Sequence, residues 1–563
     1  MLTPWGEKLD KDNILPEYPR PQMRRQSFIN LNGSWDYAIT AAGEKQPEKW
    51  DGKILVPFSP ECELSGVGRQ LQPGEYLWYR RDWVRPEDMS GRVILHFGAV
   101  DQSCTVYING LRAFRHKGGY LPFEFDATGF LSKDVNELSL SVRDESDTSY
   151  HARGKQKMKH GGIWYTPQSG IWQTVWAECV PRDCIRKLHI TPDFDHALVR
   201  VNADIVGDSR AYAVFNGQRY QIPAEIPVPN FEPWTPENPK LYDFSAECGE
   251  DRVDSYFAMR KFSVETDSKG MKRLFLNGRP YFHNGLLDQG YWSDGMYTAP
   301  SDEALVFDIQ TAKDMGFNML RKHIKIEPLR WYYHCDRLGM LVWQDMINGG
   351  GSYNPAVIST PLVTGIHLND KNYKLFARDE LEGRVEYETE LNEMVELLYN
   401  CPCIAMWVPF NEGWGQFDAA RIAEKLERMD PTRTIDHASG WHDQKIGQTK
   451  SLHVYFKKYV FKPDKLGRAV LLSEFGGYNL RCEGHSFGSD NFGYKKLKSD
   501  KELRKELEKL YREQIRPAYK EGLSAAVYTQ LSDVEQEVNG LITYDRKVVK
   551  LDPEAVRMIV SVE

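Results

Sequence analysis

Two glutamates in this 563-residue chain have the type and position to do chemistry together. Glu412 comes just after the largely apolar run 404–410, and Glu474 follows the apolar or small residues 469–473. A carboxylate is rarely buried unless it is paired, so a buried strand has little structural use for either one. One protonated and one ionised carboxyl group on either side of a bond can cleave a glycosidic linkage. The pair therefore predicts a glycosidase site.

The neighbours of Glu412 fit the proton donor of that chemistry. An apolar, aromatic surround favours the neutral form of a carboxyl group, and Trp407, Phe410 and Trp414 could supply it. Asn411 could hold a sugar hydroxyl beside the reacting carbon. The structural alternative is a glutamate that caps the next helix, since a helix N-terminus favours negative charge.

Glu474 fits the ionised partner. The following Gly476 and Gly477 would let the backbone approach a ligand closely. A buried carboxylate needs donors or a cation nearby to stay ionised. Tyr455 and Arg321, each predicted at the carboxyl end of a strand, are the candidates. The structural alternative is a strand-end glutamate held in a salt bridge.

The elements that would position these residues begin near residue 265, where apolar strand-like runs alternate with helical stretches. Eight strands with interleaved helices in about 290 residues predict a closed parallel (β/α)8 barrel, with active-site residues at the carboxyl ends of its strands. A doubly wound open sheet is the alternative, but no Gly-x-Gly-x-x-Gly follows a strand and opens a helix. The predicted strands are 281–287, 318–321, 340–343, 404–408, 434–436, 451–455, 469–473 and 525–529, and the predicted helices are 302–315, 330–338, 378–399, 419–429 and 500–519.

The stretch 348–375, after the third predicted strand, is long for a barrel connection. Loops of this length inside a compact domain are often functional. It would lie on the same face as the two glutamates. We predict that it forms a lid or a pocket wall.

Two β-domains are predicted before the barrel. Residues 1–182 contain short alternating runs separated by turn residues, which is typical of an antiparallel jelly-roll sandwich. Residues 183–264 are again strand-like and suit a small immunoglobulin-like sandwich, with Asn216-Gly217 as a hairpin turn. The barrel then occupies residues 265–563.

Composition excludes several classes of partner and cofactor. A net charge of −8 and a pI near 6.0 argue against nucleic acid or an acidic membrane surface. The nine cysteines form no recurring Cys-x-x-Cys pair, so buried reduced thiols are expected rather than a zinc site. Neither a leader-like segment nor a membrane-length apolar run is visible, which predicts a cytoplasmic protein unless a leader has been removed.

The chain resembles glycoside hydrolase family 2 over essentially its full length, through several motifs in the right order. Residues 28–35, 78–81, 96–101, 106–110, 116–126 and 170–176 resemble the family's sugar-binding jelly roll. Residues 233–242 resemble its immunoglobulin-like segment, and residues 275–280 and 316–323 resemble the start of its barrel. The resemblance implies hydrolysis of β-linked glycosides in exo fashion with retention of configuration.

The resemblance also implies roles for individual residues. Glu412 matches the family's general acid/base, and Glu474 matches its nucleophile. Asn411 matches the residue that holds the sugar 2-hydroxyl, and Tyr455 matches a tyrosine that supports the nucleophile. Arg321 and His323 match residues that line the non-reducing-end subsite.

Two departures from the family pattern bear on the substrate. Metal-dependent β-galactosidases of the family carry a Glu and a His where the stretch 344–351 has glycines, so no metal and no other cofactor is expected. The family's β-glucuronidases carry an Asn-x-Lys motif, whereas the stretch 534–542 lacks that lysine and is acidic. Acidic groups there would repel a uronate unless Lys322, Lys325 or Arg546 supplies positive charge. A β-galactoside is therefore preferred, with a β-glucuronide or another β-glycoside as the alternative.

Three further residues are predicted to bind the sugar. Asp288 and Trp292 lie in the stretch 283–292, which differs from the usual start of the family's barrel, and ordinary loop packing is the alternative for both. Trp441 is the third.

The leading hypothesis is a retaining exo-β-glycosidase that acts through a covalent glycosyl-enzyme intermediate. A carbohydrate-binding protein without turnover is the alternative from another class, and it predicts that a catalytic group is missing, which is not so. A transglycosylase would use identical residues. The expected partner is a carbohydrate, and homo-oligomers are an expectation from the resemblance alone.

Overall fold

Eight parallel strands form a nearly closed barrel in the computed structural model, which describes residues 1–41, 45–86, 91–132 and 135–562. The strands are β1 (His283–Asp288), β2 (Met319–Lys322), β3 (Leu341–Asp345), β4 (Ile404–Val408), β5 (Thr434–Ile435), β6 (Thr449–Val454), β7 (Ala469–Gly476) and β8 (Ala525–Thr529). They pair in the order β5-β4-β3-β2-β1-β8-β7-β6, so β5 and β6 end the sheet. The Thr449 hydroxyl donates to the Ile435 carbonyl across this seam at 2.8 Å.

Both faces of the barrel strands are buried, which explains their continuous apolar sequences. Every residue of β4 and of β7 is buried. All eight predicted strands are present, and the predicted fold class, β-sandwiches followed by a (β/α)8 barrel, is confirmed. The strands β3 and β7 continue past the predicted ends to Asp345 and Gly476, because their backbones go on pairing there with β4 and β8.

Helices connect most of the barrel strands. The predicted helices are present, although a π-helical turn at Tyr511–Ile515 divides the last one. Pro355–Thr364 and Pro553–Val560 were not predicted; each follows an Asn or Asp cap and has Pro at its first position, which is a recognisable start signal. The helices are Asp302–Asp314, Leu329–Leu338, Pro355–Thr364, Leu381–Leu398, Ala419–Met429, Asp500–Leu510, Arg516–Glu521 and Pro553–Val560.

The amino-terminal part is a sandwich of two antiparallel sheets around an apolar core. One sheet contains Phe28–Asn30, Val175–Val180, Arg92–Phe97 and Phe123–Asp126 in that order, and the other contains Gly52–Val56, Gly33–Thr40, Tyr76–Val84, Val135–Arg143, Ser103–Ile108 and Leu111–Lys117. A short pair, Val100–Asp101 and Gly170–Ile171, closes the domain.

A smaller sandwich follows, with its own core. Its hairpin turn is at the predicted Asn216 and Gly217, which both have positive φ. Its sheets are Cys184–Asp193, Leu198–Val206 and Ala224–Pro227, and Gln218–Gln221, Ala211–Phe215, Tyr242–Cys248 and Asp251–Phe257. The strands Phe262–Thr266, Lys272–Leu276 and Arg279–Pro280 then lead into the barrel.

Residues 144–169, here called the sandwich arm, leave the first sandwich and lie against the barrel. The Arg153 and Gly154 amides donate to the Asn348 carbonyl at 3.0 and 3.2 Å. The Gly162 amide donates to the Gln536 side chain at 3.0 Å. The arm therefore contacts the loops that follow β3 and β8.

All nine cysteines lie in the described part of the chain as free thiols, and Cys482 is the one that is not fully buried. This agrees with the predicted reduced thiols. Among the described residues, no helix combines the length and the apolar character that a membrane crossing requires.

Candidate active site

Arg321 on β2 holds three strand ends together. Its Nη1 donates to Glu474 at 3.0 Å, its Nε and Nη2 donate to the two oxygens of Asp345 at 3.0 Å each, and Nη2 also donates to the Asn411 side-chain oxygen at 2.8 Å. The guanidinium is fully buried, and its planar fork fixes these acceptors in one orientation. The Asn411 oxygen is occupied, so its NH2 group is left to donate to a ligand.

Glu474 on β7 is held as a carboxylate. Besides Arg321, it accepts a hydrogen bond from the Tyr455 hydroxyl at 2.5 Å. Burial raises the pKa of Glu474, but the charges of His453 and Arg321 oppose this and lower the pKa to about 2. Burial and the Glu474 charge raise the pKa of Tyr455, which keeps its hydroxyl a donor. Glu474 is therefore ionised at neutral pH.

Glu412, just past β4, has a left-handed backbone conformation with φ of 51°. Its amide donates to the Ser439 carbonyl at 3.0 Å, which fixes the main chain. A non-glycine residue in this region is uncommon, and such strain is concentrated at functional sites. The next residue, Gly413, has φ of 75°, and a Cβ there would lie 2.5 Å from the His442 ring. The chain around Glu412 therefore has little freedom to move.

His453 on β6 lies between the two glutamates. Its Nδ1 is 2.7 Å from Glu412 Oε1 and 3.5 Å from Glu474 Oε2, while its Nε2 is 3.2 Å from the Ser439 hydroxyl. The sequence resemblance marked the neighbouring Tyr455 as a site residue but not His453. The signal was present, because residues two apart on a strand share a face.

The two glutamates are close enough to act on one bond. Ligand atoms of Glu412, His453 and Glu474 all lie within 4.8 Å of one another. Carboxyl groups about 5–5.5 Å apart are typical of retaining glycosidases, whereas inverting enzymes need about 6.5–9.5 Å to admit a water molecule. The observed spacing is closer to the first of these two ranges.

Among the described residues, Glu412, His453 and Glu474 form the group of side chains that could hold a metal ion. However, Arg321 and Tyr455 already donate to the two oxygens of Glu474. A metal ion would also face the guanidinium charge of Arg321. The donor set therefore fits a carboxylate nucleophile better than a metal ligand.

Two other predicted residues lie beside this group. The His323 Nδ1 is 2.7 Å from Asp345, and burial together with the charges of Lys155 and Arg321 lowers the pKa of His323 well below its usual range. The half-buried Trp441 ring has its centroid 6.2 Å from that of His453. Both side chains therefore lie near the two glutamates.

The structure does not bring Asp288 and Trp292 to the glutamates. Asp288 pairs with Lys322, its neighbour on the adjacent strand, at 2.6 Å and accepts from the Gly290 amide at 2.9 Å. Trp292 is 2% exposed and lies under the Arg546 guanidinium, 4.3 Å from its ring centroid. Ordinary packing, the alternative stated above, accounts for both.

Aromatic rings from three segments form a wall beside Glu412. Trp414 follows Glu412, Trp164 belongs to the sandwich arm, and Tyr353 lies in the predicted pocket-wall stretch 348–375. Ring centroids of Trp164 are 5.2 Å from Trp414 and 6.1 Å from Tyr353. Such rings are apolar plates that suit the faces of a sugar.

A (β/α)8 barrel with two facing carboxyl groups at its mouth is the architecture of a glycoside hydrolase. The chain belongs to glycosyl hydrolase family 2. Residues 269–473 match the model of the family's TIM barrel domain, and residues 72–175 match that of its sugar binding domain.

The chain is also similar to named relatives in sequence and to solved structures in fold. A protein of Thermoanaerobacter pseudethanolicus named β-galactosidase is 25% identical over 445 residues, which are 72% of this chain and 55% of that protein. The chain spans about half the length of the curated relatives it matches. A β-glucuronidase from an uncultured Clostridium sp. has a TM-score of 0.74 at 18% identity and covers 95% of this chain and 98% of its own. A β-galacturonidase from Eisenbergiella tayi, solved with galacturonate, has a TM-score of 0.72 at 18% identity and covers 96% and 99%.

Proposed function

We propose that this protein is a retaining exo-β-glycosidase that acts through a covalent glycosyl-enzyme intermediate. Glu474 attacks the anomeric carbon while Glu412 donates a proton to the departing oxygen. Glu412 then takes a proton from water, which releases the sugar with its β-configuration retained. The observation that carries this proposal is the separation of at most 4.8 Å between carboxylate oxygens of Glu412 and Glu474.

The hydrogen bonds around the two glutamates support the assignment of roles. Arg321 and Tyr455 both donate to Glu474, which suits a nucleophile that must stay ionised. Glu412 contacts the imidazole of His453, a group able to exchange a proton with it. Exo action rests on the family resemblance and is supported by the sandwich arm, which lies against the loops after β3 and β8.

Two sugars compete for the first subsite. A neutral β-galactoside is supported by the relative named β-galactosidase. An acidic sugar is supported by the structural neighbours, which include proteins named β-glucuronidase and β-galacturonidase. In the stretch 534–542, Glu537 accepts from Tyr165 and Asn539, and Glu535 accepts from the Thr166 amide, which directs both carboxylates toward protein donors without cancelling their charge.

A panel of nitrophenyl β-glycosides tests the reaction with the parent protein, Glu474→Ala and Glu412→Ala. We expect both variants to lose at least about 10³-fold in kcat/KM. Azide should rescue each variant, giving an α-glycosyl azide with Glu474→Ala and a β-glycosyl azide with Glu412→Ala, because the missing carboxylates lie on opposite faces of the sugar. Glu483→Ala, an exposed glutamate, is the control.

Unchanged turnover in either variant would exclude the assignment. Calorimetric binding of sugars without turnover of any glycoside would instead support the carbohydrate-binding alternative. Product analysis at high acceptor concentration separates hydrolysis from transglycosylation.

A further inference from the structure

Lys155 of the sandwich arm is a buried cation without a carboxylate partner. Lys155 as a whole residue is only 6% exposed, although lysine is almost never buried unless it is paired. Its Nζ lies 5.7 Å from the centroid of the Tyr165 ring and 5.8 Å from that of the Trp414 ring. Within the part of the chain that the structure describes, no carboxylate lies within ion-pairing distance of it.

Several other buried cations of the chain have carboxylate partners, whereas the buried Arg153, Arg260 and Arg378 donate to backbone carbonyl oxygens. Lys322 is 2.8 Å from Glu327, Lys325 is also 2.8 Å from Glu327, and Arg546 is 2.9 Å from Asp308. These three residues are the ones that the sequence suggested as partners of a uronate. Their charges are already balanced by Glu327 and Asp308. Lys155 differs from these three residues because no carboxylate of the described chain balances its charge.

Lys155 lies beside the aromatic wall next to the proposed active site. It packs against Trp414, which is two residues from the proposed acid Glu412. Its charge also acts on Glu474 and on His323, since it helps to lower the pKa of each. The Lys155 Nζ atom itself is not fully buried, so it reaches accessible space beside Trp414, where an anionic ligand can supply the opposite charge.

The acidic side chains of the loop after β8 accept hydrogen bonds from other groups and form no ion pair with Lys155 within the described ranges. Glu537 accepts from the Tyr165 hydroxyl and from Asn539, and Glu535 accepts from the Thr166 amide. Lys157, on the same arm, lies 4.0 Å from the Trp164 ring centroid and adds a second positive charge near the aromatic wall.

We infer that the sugar in the first subsite carries an anionic group, a carboxylate or a sulfate ester, and that Lys155 of the first sandwich binds it. The inference rests on the proposed glycosidase function and names its substrate class. Lys155 is a specificity-determining residue that comes from a domain other than the barrel.

Matched substrate pairs test the inference. We compare kcat/KM for nitrophenyl β-glucuronide with β-glucoside, β-galacturonide with β-galactoside, and 6-sulfo-β-galactoside with β-galactoside. Lys155→Met should lower kcat/KM for the anionic member on the order of 10-fold or more beyond its neutral partner, as expected for a lost hydrogen bond to a charged group. Lys155→Arg should restore much of the loss, and the exposed Lys159→Met is the control. The uronide and sulfate arms distinguish the two anions.

A parent protein that prefers the neutral member of every pair would overturn the inference. So would an equal loss on both members in Lys155→Met, since Lys155 would then act on Glu474 rather than on the substrate. If no glycoside is cleaved, the glycosidase proposal fails separately. In that case calorimetry with glucuronate and galacturonate against glucose and galactose decides the inference, and equal binding by parent and Lys155→Met contradicts it.

Discussion

Two glutamates at the ends of barrel strands differ in what surrounds them. Glu474 accepts hydrogen bonds from a buried guanidinium and a tyrosine, whereas Glu412 contacts an imidazole and stands in a strained backbone conformation. The two glutamates therefore differ in their surroundings, and such differences are the general basis for assigning the acid and the nucleophile in paired-carboxyl enzymes.

His453 is expected to be needed for proton movement at Glu412. His453→Ala removes the imidazole that is 2.7 Å from Glu412 and 3.5 Å from Glu474. We expect kcat to fall by about 10²-fold, the usual scale for a group that takes part in general acid–base catalysis. Steady-state kinetics and thermal unfolding measure the effect, with the exposed His160→Ala as the control. Wild-type kcat in a folded His453→Ala variant would contradict this role.

The pH profile should report the surroundings of Glu474. Its pKa lies below the ordinary value, so Glu474 is ionised above that pKa and activity is lost only as pH falls through it. The acid limb of kcat/KM should therefore lie well below the ordinary glutamate pKa of about 4.3.

Tyr455→Phe removes a hydrogen-bond donor to the ionised Glu474 carboxylate. The acid limb of kcat/KM should therefore move to higher pH. Tyr220→Phe is the control and should leave the limb in place, because this half-buried tyrosine belongs to the second sandwich and its hydroxyl donates to Gln218 there. An acid limb that is unmoved by Tyr455→Phe would show that the hydrogen bond does not stabilise the carboxylate.

At the scale of elements, the turn after β4 sets the direction of Glu412. The positive φ of Glu412 and Gly413 reverses the chain here, and the contact of Gly413 with His442 leaves no room for a side chain. The short segment around Ser439 pairs with this turn through two backbone hydrogen bonds.

Gly413→Ala should displace Glu412. A Cβ would lie 2.5 Å from the His442 ring, in addition to the cost of a positive φ. Gly484→Ala is the matched control, because Gly484 has φ of 79° against 75° and nothing within 4 Å of its Cβ position. Both variants incur about 1–2 kcal/mol for backbone conformation, and Gly413→Ala should lose about 1–3 kcal/mol more from overpacking. Chemical denaturation and kcat measure this, and equal effects of the two substitutions would contradict it.

The apolar runs of the strands predicted the barrel well, because strands buried on both faces have continuous apolar sequences. Strand ends were less predictable: Asp288 was expected at the sugar but lies on the face that pairs with Lys322. A shift of one residue along a strand moves a side chain to the opposite face. Apolar runs define a strand's length only roughly and therefore leave this orientation open.

At the scale of the whole molecule, the first sandwich takes part in building the site. Its arm supplies Lys155 and Trp164, and Arg153 anchors it by donating to the carbonyl oxygens of Gly350 and Gly351. The barrel supplies the reacting carboxyl groups, and the arm supplies one side of the pocket around them.

Loosening this contact should affect substrate binding more than chemistry. Arg153→Met removes the hydrogen bonds to the loop after β3 while leaving Glu412 and Glu474 untouched. We expect KM to rise by about 10-fold with a smaller change in kcat, which is the pattern for lost substrate binding. Limited proteolysis of the arm should also be faster. The exposed Arg112→Met is the control, and a fall in kcat at constant KM would contradict this role for the arm.

The sequence by itself determined the order of the domains, the alternation of strands and helices, and the residues that the family resemblance marks, because these depend on local pattern and on motifs. The tertiary structure decided which of those side chains meet. It brings Arg321, Asn411, Tyr455, Glu412 and Glu474 together, adds His453 and Lys155, and leaves Asp288 and Trp292 in ordinary packing. Contacts between residues hundreds of positions apart depend on strand registry and domain docking, which no local pattern encodes.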